Sequence, residues 1–162
     1  MFTLPLLISD DISEMNAALG DFVAISGSRL ALFIDSGGFI VTLQGDSGDI
    51  DTATLGALAA NSFAATQAIA RIIEDHSVTS LYQEGNEYSL LILSVGDFGF
   101  LAVVFPAEIG VGSVKFYSQD VVARLILQLA AARDRAPDQG LDLSALNIAD
   151  ATPLFRRRAA AP

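Results

Sequence analysis

The chain reads as an α+β domain, a five-stranded antiparallel sheet with helices on both faces. Three observations predict it. Hydrophobic periodicity gives the order helix, two strands, helix, three strands, helix. Turn signals at Ser36-Gly37, Glu84-Gly85-Asn86 and Gly96-Asp97 join successive strands as hairpins, which makes them antiparallel. Finally, LLIL (90–93) and LAVV (101–104) are apolar at consecutive positions, so both strand faces must be covered.

The elements follow in order. Ile12, Met15, Leu19, Phe22 and Val23 keep helical spacing behind Ser9 and Asp10, candidate N-caps, and Gly27 suits the left-handed residue that ends a helix. RLALFID (29–35) and GFIVTLQ (38–44) form the first hairpin, and the loop GDSGD (45–49) leads to a second helix capped by Asp49 or Asp51. SVTSLYQ (77–83), EYSLLILSV (87–95) and DFGFLAVVFP (97–106) supply the remaining strands. Residues 110–118 are expected to stay extended, with Ser118 capping a last helix whose stripe is Val122, Leu125, Ile126 and Leu129, ended by Pro137 and Gly140. The domain is expected over 1–133, and 134–162 as a flexible tail with one short apolar segment, LDLSALNI (141–148).

The second helix is unusual in composition. On a helical wheel Leu55, Leu58, Ala59, Ser62, Thr66, Ile69 and Ile73 form the expected core side, and Ala53, Ala57, Ala60, Ala64 and Ala68 an outward alanine ridge ending at Arg71. A helix apolar all round is covered on both sides, and methyl-lined backbone allows close approach. Ala57, Ala60, Asn61, Ala64, Ala65, Gln67, Ala68 and Arg71 are therefore the candidate partner-binding residues. The competing reading is packing within one chain. Val78, Thr79, Ser80, Leu81 and Tyr82 lie in a strand with neither lysine nor proline to blunt it, which at a sheet edge invites a second copy.

Composition narrows the function. The 162 residues suit one domain, and 52% hydrophobic against 17% charged residues argues against a disordered chain. A net charge of −10 argues against nucleic acid. No run is long enough to span a membrane, MFTLPLLIS is a poor secretion signal, and zero cysteines points to the cytoplasm. No cofactor or metal is expected. Asp46, Asp49 and Asp51 lack calcium-loop spacing and read as caps, and the glycines match no phosphate-binding or dinucleotide pattern. His76, the single histidine, reads as a partner of a helix C-terminus rather than a base, and Tyr82, Tyr88, Phe98 and Phe100 as packing. Arg71 reads as a surface ion pair with Glu74 or Asp75 in preference to an inserted arginine finger. Arg156, Arg157 and Arg158 read as a solvated terminus, with an acidic contact as the alternative.

GSRLALFIDSGGFIV (27–41), IDTATLGALAANSFAATQAIARII (50–73) and LLILSVGDFGFLAVVF (90–105) resemble the roadblock/dynein light chain family, over about residues 12–133. The Asp-x-x-Gly turn and the segment Ala-Ala-Asn-x-x-Ala-Ala-Thr carry the likeness. The resemblance implies the second helix on one sheet face, the first and last on the other, and a homodimer joined through edge strands and second helices. It implies a non-catalytic activator that binds the GTP-bound form of a Ras-like small GTPase across the dimer and repositions the GTPase's own residues. Ala60, Asn61, Ala64, Ala65, Thr66 and Ala68 match the partner-facing positions, although the wheel puts Thr66 on the core side. C-terminal extensions that touch the GTPase would correspond to Leu146, Ile148, Leu154 and Phe155. A dimeric adaptor that leaves nucleotide turnover unchanged is the alternative. A ligand-sensing module lacks convergent polar residues.

Overall fold

A computed structural model describes residues 4–75 and 77–135. Three helices and five strands run in the order α1 (Ser9–Ser26), β1 (Leu30–Ile34), β2 (Ile40–Gly45), α2 (Thr52–Ile72), β3 (Ser80–Gln83), β4 (Tyr88–Val95), β5 (Gly99–Pro106) and α3 (Val111–Asp134). All neighbours are antiparallel, in the spatial order β2-β1-β5-β4-β3. The strand count and the three hairpins β1–β2, β3–β4 and β4–β5 match the turn signals, while the β1–β5 pairing that joins them is long-range and no turn signal gives it.

Central strands β1 and β5 are buried on both faces, as their unbroken apolar runs demand. On one face Phe33, Leu91, Leu101 and Phe105 pack under Leu19 and Phe22 of α1 and Leu125 and Leu129 of α3. On the other, Leu30, Leu32, Ile92 and Phe100 pack under Ala59, Ala60 and Phe63 of α2. Phe63 is fully buried and its ring centroid lies 4.6 Å from that of Phe100. Truncating such a phenylalanine costs about 3–5 kcal/mol.

Local chemistry sets the boundaries. Ile8 is the N-cap of α1 in place of the expected Ser9 or Asp10, which lie in its first turn, and the Ile8 N–H donates to the Asp11 carboxylate at 2.8 Å. Gly27 ends the helix at φ 70°, as expected. Asp51 caps α2, accepting from the Thr54 N–H at 3.1 Å and its hydroxyl at 2.6 Å, and these bonds hold its carboxyl below the usual range. The Asp35 carboxylate accepts from the Gly37 and Phe39 N–H groups to shape the β1–β2 turn. Gly38 (φ 86°) is pressed against α2, where a Cβ would stand 2.6 Å from the Ala57 Cα.

One element departs from expectation. Residues 111–118 are the first turns of α3, not an extended segment, and Gly110 rather than Ser118 is the N-cap. Val114, Ser118, Val121, Leu125, Leu129 and Ala132 form one buried stripe at helical spacing, and Ser118 bonds back to the Lys115 carbonyl at 2.8 Å. The two glycines in GVGSV masked that stripe. Pro137, Gly140 and the rest of the tail, and His76, lie outside the described residues.

Candidate functional site

The α2 face away from the sheet is the candidate site, and the wheel has to be rotated to describe it. Gly56, Ala59, Ala60, Phe63 and Ala70 are buried against the sheet. Leu58 (60% exposed), Ile69 (60%), Ile72 (82%) and Ile73 (69%) point to solvent. The small residues are inside because the helix sits close to the strands: a Cβ on Gly56 would come within 2.8 Å of the Gly38 carbonyl oxygen. Close approach is spent on the chain's own sheet, and the large aliphatics are displaced outward. Leu58, Ser62, Ile69 and Ile73 are thus not core.

Among the eight candidates on this helix, Ala60 is buried and cannot reach a partner, while Ala57 and Gln67 are half-buried. Asn61, Ala64, Ala65, Ala68 and Arg71 are exposed. Thr66 is half-buried and its hydroxyl donates to the Ser62 carbonyl at 2.9 Å. The resulting surface combines small polar and alanine positions with Leu58, Ile69 and Ile72, which the sequence reading missed. Its single charged residue is Arg71, in the last turn. The available signal was Phe63: taking the one aromatic as the buried reference fixes the phase of the helix correctly.

The helix stops in a way that aims this surface. The Asp75 N–H donates to the Ala70 carbonyl at 2.9 Å and the Glu74 N–H to the Arg71 carbonyl at 3.3 Å, closing a Schellman turn. Glu74 occupies the left-handed position at φ 62°. The next element in the chain is β3, beginning at Ser80.

Strand β3 is at the sheet edge, paired to β4 only. The Ser94 N–H donates to the Thr79 carbonyl at 2.9 Å, and Leu81 and Gln83 face Ile92 and Leu90 at the same alternation. Antiparallel geometry therefore turns the N–H and C=O groups of Ser80 and Tyr82 away from β4. Leu81 and Val78 pack on the α2 side of the sheet, while Tyr82 stacks toward Phe105 on the other, centroids 6.3 Å apart. Thr79 and Tyr82 are exposed, and Val78, Ser80 and Leu81 half-buried. The opposite edge, β2, carries a register shift at Phe33/Ile34, an irregularity that blunts strand addition. Leu146, Ile148, Leu154 and Phe155 lie outside the described residues.

Three helices and a five-stranded antiparallel sheet in this arrangement, with a helix face whose one charge is Arg71 beside an open strand edge, have the architecture of a roadblock-type domain. The Roadblock/LC7 domain model matches residues 16–105, and the chain belongs to that family. Among solved structures it is similar to MglB of Myxococcus xanthus (23% identity, TM-score 0.70, 74% of this chain and 97% of that one). It is also similar to the gliding protein MglB of Thermus thermophilus (23%, 0.73, 81% and 98%). A third structure is an MglB with a tetrameric arrangement (24%, 0.74, 82% and 98%). These likenesses show the fold. No curated protein matches the chain. Among the described residues no helix is long and apolar enough to cross a membrane.

Proposed function

We propose that this chain is a non-catalytic, homodimeric regulator that binds the GTP-bound form of a Ras-like small GTPase of the MglA type. On this reading it stimulates GTP hydrolysis in the cytoplasm of a bacterium, in cell polarity or motility. The observation that carries the reading is the bare α2 face beside the open β3 edge, in a fold shared with MglB. A second copy pairing with Ser80 and Tyr82 would continue the sheet and bring its own α2 alongside, making one platform from two helices. Covering Leu58, Ile69, Ile72 and Ile73 contributes about 1–2 kcal/mol each before association costs. That is enough for a regulated complex. The exposed amide and hydroxyl of Asn61 and Ser62 add register.

The test is phosphate release from the cognate GTPase, with and without this chain. Wild type should accelerate release, and Ala64→Arg/Ala68→Arg should not. Arg71→Ala should keep stimulation within about three-fold, because a true arginine finger is worth about 10³–10⁵. Binding at unchanged turnover would move the chain to the adaptor class.

A further inference from the structure

The face remote from α2 carries a second feature. Helices α1 and α3 are antiparallel neighbours, and the seam between them opens into two cavities that share Arg124. The larger, about 420 Å³, is lined by Phe22, Ile25, Phe116 and Tyr117 with Asp21 and Asp120 at its rim. The smaller, about 220 Å³, adds Glu14 and Gln128. Ile25, Phe116 and Leu127 along this groove are 62%, 67% and 71% exposed. Arg124 already engages Asp21 at 2.9 Å and Asp120 at 3.9 Å. Three carboxylates against one guanidinium leave the lining two negative charges in surplus.

The end of the same seam holds the point where the chain continues. Asp11, 1% exposed, accepts two hydrogen bonds from Arg135 (2.7 and 2.9 Å) and one from Gln128 (2.7 Å). The last described residue, Arg135, therefore sits at the head of the groove, where it shares Asp11 with Gln128. The sequence beyond carries the complementary chemistry, Leu154-Phe155 followed by Arg156, Arg157 and Arg158. Reach is no obstacle. Phe116 to Arg135 is about 28 Å of helix, and the 20 residues from Arg135 to Phe155 span up to about 65 Å extended.

The geometry points to the α1–α3 groove as the docking site of this chain's own segment Leu154–Arg158, with Leu154 and Phe155 against Ile25 and Phe116 and the arginines on Asp21, Asp120 and Glu14. A tethered segment acts at an effective concentration near the millimolar range, which favours it over the same segment of a free second copy. Docking there leaves the α2 face on the opposite side of the sheet uncovered.

The chain has no cysteine, so introduced pairs report cleanly. In the full chain, Gln119→Cys/Ala159→Cys puts one thiol on the exposed groove wall and one just past the arginines. Ala53→Cys/Ala159→Cys is the control, with the first thiol on α2. The groove pair should close an intrachain disulfide at least about ten-fold faster than the control. Added Arg156→Glu/Arg157→Glu/Arg158→Glu should bring it down to the control rate, and high salt should slow the groove pair alone. Equal rates for the two pairs, insensitivity to the arginine reversal, or disulfide-linked dimers in place of the intrachain product would each overturn the assignment.

Discussion

Two single residues carry local stresses that can be measured. Glu74 holds the left-handed position of the α2 Schellman turn at φ 62°, where a Cβ is unfavourable. Glu74→Gly should raise unfolding stability by up to about 1 kcal/mol, read by denaturant titration. Asp11 is the opposite case, a buried carboxylate whose charge is matched. Hydrogen bonds from the Arg135 guanidinium hold its carboxyl far below the usual range, against the raising effect of burial, with the Ile8 N–H and Gln128 adding to the shift. A depressed carboxyl stabilises the fold above its unfolded pKa, and that stability is lost as pH falls through the folded value. Asp11→Asn should therefore cost about 2–3 kcal/mol at neutral pH. The gap between variant and wild type should stay constant down to about pH 5 and close only below about pH 4. Neither feature was legible in the sequence. Asp11 finds Arg135 across 124 positions, and the turn at Glu74 lacks its usual glycine.

At the scale of elements, the alanines of α2 divide into two populations that composition cannot separate. Ala60 is buried within the sheet-facing stripe, whereas Ala64 and Ala68 are exposed. Ala60→Arg should destabilise by several kcal/mol, because an unpaired guanidinium cannot be solvated there. Ala64→Arg/Ala68→Arg should leave the melting temperature within a few degrees of wild type and act on association alone. Thermal unfolding of the two variants side by side decides it. What the sequence showed was that this helix has almost no charge. What it hid was the phase, because a helix lying this close to a sheet puts glycine and alanine inward and isoleucine outward, against the usual size rule. Hairpins were legible for the opposite reason, since Asp35 with Gly38 and Gly96 with Asp97 fix turns through neighbours in sequence. The start of α3 was not, because only the buried stripe from Val114 to Ala132 reveals those turns as helix.

For the whole molecule, the two bare features lie on one flank. Val78 and Leu81, at the β3 edge, share the apolar layer beneath α2. A strand added to β3 therefore enlarges the same layer, which would link assembly to the proposed binding face, and the regulatory account depends on that link. The most direct test is the mass of the complex with the GTP-loaded partner, measured by sedimentation. Two copies of this chain per GTPase are predicted for wild type, with Ser80→Pro, which removes an outward N–H of β3, reduced to a monomer that no longer binds. A wild-type chain that stays monomeric, or that binds the GTPase one to one regardless of Ser80→Pro, would contradict the account.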